Sequence, residues 1–128
     1  MAGLSHPFLD KVFVGSPVPL GSYFEPYATL LLDDEIVEME FKGIRDGMAF
    51  TTKRLIVINN QGLRGKKTEA SSFAWKAMSA FSIENSGTFD LDAEIKFVGS
   101  GWGVCEVQLT KGTPVGEIAR YLANKICG

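Results

Sequence analysis

Histidine is nearly missing from this chain, cysteine occurs only twice, and no apolar stretch is long. Each shortage closes a class of function. His6, the sole histidine, stands near the amino end, and no serine, cysteine or carboxylate can be assigned to it as nucleophile or base partner. No catalytic residue is therefore expected. Cys105 and Cys127 form no C-x-x-C pair, which favours reduced thiols over a disulfide or a metal site. The longest apolar run, residues 28–32, is broken by Thr29 and falls far short of the ~20 residues of a membrane span. The opening MAGLSHPFLDKVFVG has neither the charged start nor the apolar core of a secretory signal, so a cytoplasmic location is expected. A basic excess is also lacking: 13 Lys and Arg against 15 Asp and Glu give a net charge of −2, which argues against nucleic acid as a partner.

What is present is apolar material, 45% of 128 residues, enough for the packed core of about one domain. Its spacing changes along the chain. Over residues 4–13 the apolar positions Leu4, Phe8, Leu9, Val12 and Phe13, with Ser5 and Pro7 at the start, predict a short amphipathic helix. The connector GSPVPLG follows, and residues 22–32 continue weakly helical, with Tyr23, Tyr27, Leu30 and Leu31 on one face. From Ile36 the period is two. Val37, Met39 and Phe41 alternate with Glu38, Glu40 and Lys42, the pattern of a half-buried strand.

Arg45-Asp46-Gly47 is a turn by its Asp-Gly pair, and β-rich runs recur at 48–52, 54–59, 68–75, 78–84, 92–98 and 104–110. In the last run Cys105, Val107 and Leu109 face inward. About seven closely spaced strands predict an antiparallel sandwich or barrel. One helix then closes the chain: Thr113 as cap, Pro114 at the first position, and Val115, Ile118, Ala119, Leu122 and Ile126 at helical spacing, with Arg120 and Lys125 near its carboxyl end. Such a helix covers apolar surface left at an open end of the barrel.

The order and spacing of several motifs resemble the bacterial pleckstrin-homology (PH) family. They are R-D-x-x-x-F-T-x-x-R-L-I from Arg45, G-x-x-G-K-K from Gly62 and E-x-x-G-T-F-D from Glu84, with the similarity strongest over residues 41–97 and extending through 32–126. The resemblance implies a mainly β, PH-like bent antiparallel barrel capped by a C-terminal helix, with residues 1–31 as a helical extension and 32–128 as the domain. It also implies frequent assembly into ring-shaped homo-oligomers and no established catalytic activity, without implying a lipid ligand.

GLRGKKT is no phosphate loop. G-x-x-x-x-G-K-[ST] needs glycine where Asn60 stands, and strands rather than a helix amino end flank the segment, so a hairpin turn is expected. Basic residues near the turns, Arg45, Arg64, Lys66 and Lys67, are the candidate contacts for an anionic membrane surface or phosphorylated headgroup, although Asp46 beside Arg45 opposes phosphate. Asp90, Asp92 and Glu94 put carboxylates at alternate positions, but Ile95 occupies the glycine position of a calcium loop. Ion pairing with the basic turn, across a subunit contact, is the expected use, and no metal or cofactor is called for. Glu84 and Asp90 are the only cleft carboxylates suggested, more simply read as solvated strand ends. Trp102, in a glycine turn, is a candidate interface residue, and Trp75 beside Phe73 suits a contact surface and a core about equally. Edge pairing through the apolar runs RLIVIN and AFSIE is the expected route to self-association, and an unidentified protein partner is compatible with the same surfaces.

Overall fold

Burial alternates with a period of two on β7 and β8, runs unbroken through β3, and takes a helical period only at the end of the chain. The computed structural model describes residues 11–61, 67–85, 92–110 and 112–128. It holds eight strands: β1 (Lys11–Val18), β2 (Val37–Lys42), β3 (Gly47–Thr51), β4 (Arg54–Gln61), β5 (Lys67–Ala74), β6 (Met78–Asn85), β7 (Ala93–Gly99) and β8 (Gly103–Leu109). Helix α1 (Val115–Ile126) follows. The strands form one sheet in the order β5-β4-β3-β2-β1-β8-β7-β6. This is the PH-like arrangement that the motifs implied: a bent, mainly β sheet plugged by a C-terminal helix.

The amino-terminal part departs from expectation. The predicted first helix lies partly outside the described residues, and from Lys11 the chain is a strand in the middle of the sheet. The adjacent pair Val12 and Phe13 looks helical because it breaks alternation. A register shift between Lys11 and Phe13 in the pairing with β8 lets both be buried from a strand. The first half of β1 pairs in parallel with β8 and its second half antiparallel with β2, so the count is eight strands rather than about seven, with one parallel pair. Pro17 is tolerated there because the pairing with β8 has ended at Gly15, leaving its missing N–H on the unpaired side. At Gly15 a Cβ would lie 2.5 Å from the Lys42 carbonyl oxygen, so only glycine lets β1 cross β2 this closely.

Residues 19–36 wrap the outer face of β3 and β4. A 3₁₀ turn at Glu25–Leu30 replaces the longer helix expected there. Phe24 packs with Ala49, Ile56 and Ile58, flanked by Tyr23, Tyr27, Leu31 and Val37. Both faces of β3 are thereby covered, and all five of its residues are buried. The buried Glu40 carboxylate accepts the backbone N–H groups of Gly21, Tyr23 and Phe24 at 2.6, 3.0 and 3.1 Å, fastening this segment to β2. Residues 11–31 therefore form a central strand and a cover for the sheet rather than a helical extension.

The other core lies inside the bend. Phe50 is its centre, with ring centroids of Phe41, Trp75 and Tyr121 at 4.8, 5.5 and 5.6 Å. Helix α1 packs against β6 and a 3₁₀ turn at Trp75–Ala77, burying Ile118 and Leu122 completely, each worth about 1.5 to 3 kcal/mol of transfer energy. Thr113 is not its cap: the hydroxyl turns back to the Thr110 carbonyl at 3.2 Å, and the helix starts after Pro114 without a side-chain cap. Cys105, Val107 and Leu109 face inward as expected.

Candidate functional site

Two ends of the sheet carry charge, and the sequence reading found only one of them. At the first end the β2–β3 turn meets the facing ends of β4 and β5. Asn60 binds this turn twice, through its amide to the Arg45 carbonyl at 2.7 Å and through its backbone N–H to the Asp46 carboxylate at 3.0 Å. Thr68 in turn donates to the Asn60 side-chain oxygen at 2.9 Å. β4 and β5 are antiparallel neighbours, with Gln61 opposite Lys67, while residues 62–66, where a hairpin turn is expected, lie outside the described residues. Of the basic candidates, Arg45 and Lys67 come to this same end, whereas Arg64 and Lys66 lie outside the described residues. Ile44 stands 96% exposed at the turn between Gly43 and Arg45.

The acidic candidates lie on the other half of the sheet. Glu94 is opposite Glu84 on β6 and Gln108 on β8, and with Asn85, Asp92 and Ala93 they line a hollow of about 340 Å³. Neither Asp92 nor Glu94 is without a partner. Asp90 and His6 fall outside the described residues. Trp102 is half-buried within its own chain: its ring meets Phe73 of β5 edge-on at 5.1 Å and covers Gly99, whose Cβ position it overlaps at 2.0 Å. Within one chain the glycine turn folds the indole back onto the core.

The second charged end was not gathered by sequence reading. Glu35 is buried, and its carboxylate accepts from Arg54 Nε at 2.8 Å, Arg54 Nη2 at 2.9 Å, the Leu32 backbone N–H at 3.1 Å and the Thr51 hydroxyl. Burial alone would raise its pKa, but the Arg54 and Thr51 hydrogen bonds outweigh that and hold it at about 2. The Thr51 carbonyl accepts the indole N–H of Trp75 at 2.7 Å and lies 3.2 Å from the Tyr121 hydroxyl. Tyr121 donates to Glu38, which pairs with Lys125 at 3.1 Å. Burial and then the Glu38 carboxylate push the Tyr121 phenol far above its ordinary value, so it stays a donor. Burial raises and the Tyr121 and Lys125 hydrogen bonds lower the pKa of Glu38, with a net lowering.

This chain of bonds ties the β3–β4 turn, the Trp75–Ala77 turn and the end of α1 around a cleft of about 600 Å³. Lys53, Arg54, Lys76 and Lys125 all line it, with Leu32 and Trp75 among its apolar walls. The sequence signal for it was thin: Lys53 and Arg54 are adjacent, but Lys76 and Lys125 reach them only through the bend of the sheet and the docking of α1. Both cysteines are free, and burial pushes the Cys105 thiol up to about 12, which leaves it unreactive. Among the described residues no group of His, Cys, Asp and Glu is placed to hold a metal, and no helix is long and apolar enough to cross a membrane.

A small bent sheet of eight strands, plugged by one helix and carrying charged turns, defines a PH-like domain. The family model described as "Bacterial PH domain" matches residues 10–126, and the chain belongs to that family. It is 45% identical over 101 residues to YjqA of Bacillus subtilis, covering 77% of this chain and 81% of that protein. Among solved structures it resembles a DUF1696-family protein with a pleckstrin-homology domain from Shewanella loihica, at 37% identity and a TM-score of 0.76, covering 88% of this chain and 97% of that one. A pleckstrin-homology domain from Shewanella amazonensis is similar at 38% identity and a TM-score of 0.67, covering 88% and 92%.

Proposed function

We propose that the domain is a non-catalytic assembly module whose copies join head to tail, edge strand to edge strand, into a closed ring. The observation that carries this reading is the pair of sheet edges. RLIVIN, expected at an edge, is interior, since β4 pairs with both β3 and β5. The edges are β5 and β6, eight residues each and hydrogen-bonded to a neighbouring strand on one side only among the described residues. An edge strand of that length needs shielding or a partner. Because the two edges differ, joining β5 of one copy to β6 of the next is a heterologous contact, which closes into a ring when its rotation permits. Antiparallel docking sets Lys67, at the start of β5, near Glu84 and Asn85, at the end of β6. Glu84 already faces the like charge of Glu94, so an incoming cation is favourable there. Arg64 and Lys66 on the basic side, and Asp90 and Asp92 on the acidic side, extend the same complementarity along the sequence.

Light scattering over a dilution series tests this. The expected result is a constant mass several times that of one chain, lowered by Lys67→Glu and by Glu84→Lys and recovered in the double variant, where the pair is reversed. A 13.9 kDa species at micromolar concentration overturns the assembly, whereas a ring indifferent to both reversals overturns only the ion-pair part.

A second reading, adsorption to an anionic membrane surface, is favoured by one observation: Ile44 projects between Lys42 and Arg45 at the end that also holds Lys67. An apolar tip among cations suits insertion between headgroups, with about 1 kcal/mol per nearby basic residue. Pelleting with anionic vesicles, weakened by salt and by Ile44→Asp, is the expected outcome; equal recovery with neutral vesicles removes the reading.

A further inference from the structure

We infer that the cleft between the β3–β4 turn, the Trp75–Ala77 turn and the end of α1 binds a small phosphomonoester, held by Lys53 and Lys76. This site adjoins the end of β5 at Ala74 and is separate from the basic turn at the opposite end of the sheet. Its volume, about 600 Å³, lies in the range of small-molecule sites.

The four cations are not equivalent. Arg54 is fully engaged: Nε and Nη2 go to Glu35, Nη2 also to the Leu30 carbonyl at 2.7 Å, and Nη1 to the Ser72 hydroxyl at 3.0 Å. It shapes the wall and has little left for a ligand. Lys125 is divided between Glu38 and the face of Tyr121, 5.3 Å from the ring centroid. Lys53 meets Asp34 at 3.4 Å, and the two side chains are 42% and 77% exposed, so the contact exchanges readily for a better anion. Lys76 is exposed and has no hydrogen bond or ion pair among the described residues. Three of the cations thus have a carboxylate partner and the fourth does not. That balance leaves an excess of about one positive charge, which fits a single phosphate and opposes polyphosphates or nucleic acid.

The rest of the cleft suits the organic part of such a molecule. Leu32 is 57% exposed beside the lysines, and Ala74 and Trp75 form an apolar wall. Thr52 and Asn124 supply neutral polar groups at its margin. The network through Glu35, Thr51, Trp75 and Tyr121 fixes these walls in advance, which reduces the ordering cost of binding.

Phenyl phosphate and inorganic phosphate, titrated into the full chain at low salt and followed by amide chemical shifts, test the inference. Phenyl phosphate should shift the amides of residues 52–54, 74–76 and 124–125, and should bind more tightly than inorganic phosphate because Leu32 and Ala74 contact the ring. Lys76→Gln and Lys53→Gln should each weaken binding roughly tenfold, the size expected on losing one charge-assisted contact. Lys96→Gln, on the exposed face of β7, should leave it unchanged. Lys76 is exposed and has no partner among the described residues, so its variant reports on binding with little effect on folding. Shifts confined to other residues, or equal weakening by Lys96→Gln, overturn the site, as does the absence of any shift. None of these outcomes bears on the oligomer mass, so this inference and the ring stand or fall separately.

Discussion

Tyr121 on the terminal helix donates its hydroxyl to the Glu38 carboxylate on β2 at 2.6 Å, across 83 positions of sequence. The same oxygen lies 3.2 Å from the Thr51 carbonyl, so one phenol couples the helix to two strands of the bent sheet. Replacing it with phenylalanine keeps the ring stack on Phe50 and removes only these polar contacts. Tyr121→Phe should lower stability by about 1 to 2 kcal/mol, because Glu38 keeps Lys125 and some water. Urea unfolding with an unchanged slope and a lower midpoint is the expected result. No change in midpoint would mean that the helix docks through apolar contacts alone.

The buried Glu35–Arg54 pair predicts a pH dependence. Glu35 ionises at about 2 when folded and near 4.5 when unfolded, so its contribution is complete above pH 4.5 and is lost as pH falls toward 2. The shift corresponds to about 3 kcal/mol, to order of magnitude. In Glu35→Gln this dependence should vanish. The stability gap between the parent and the variant is therefore expected to be widest above pH 4.5 and to narrow steadily below it in urea titrations. A gap that stays constant down to pH 2.5 would show that Glu35 is not held ionised by Arg54.

Helix α1 closes the inner core through Ile118 and Leu122, both fully buried. Leu122→Asp puts an unpaired charge against Phe and Trp rings and should cost at least about 4 kcal/mol, enough to unfold a marginal domain. Circular dichroism melting is the measurement. An unchanged melting temperature would place that face of the helix in solvent.

Strands whose neighbours differ on their two faces were the easiest to read. β7 and β8 alternate cleanly because their outer face meets water, and Cys105, Val107 and Leu109 fell inward as the period of two required. β1 was hidden because its bulge sets Val12 beside Phe13 on the buried side, which imitates helical spacing. Glu40 reads as an outward residue by alternation; it is buried because three backbone N–H groups converge on it from a segment whose path the sequence does not reveal. The charged residues show the same limit. Arg45 and Lys67 belong to turns at one end of a hairpin ladder, so local pattern alone brings them together. Lys53, Lys76 and Lys125 become neighbours only when the β5–β6 corner folds over and α1 docks, and no local rule carries that information.

Trp102 separates an interface residue from a structural one. Its ring lies edge-on to Phe73, and Gly99 leaves the space that the indole occupies, so the β7–β8 turn is pinned to β5 by side chains although the two strands share no ladder. Trp102→Ala should therefore remove about 2 kcal/mol from the folding of each chain. Gly99→Ala should act in the same direction, because the added methyl drives the indole off Phe73, at a cost of about 1 to 3 kcal/mol. Both losses should be the same at every protein concentration, and the mass in solution should match that of the parent. Thermal melts over a dilution series, with light scattering at each concentration, distinguish the two roles. If Trp102→Ala lowers the mass in solution relative to the parent while leaving the melting of the single chain intact, the indole serves a contact between chains and its packing on Phe73 is incidental.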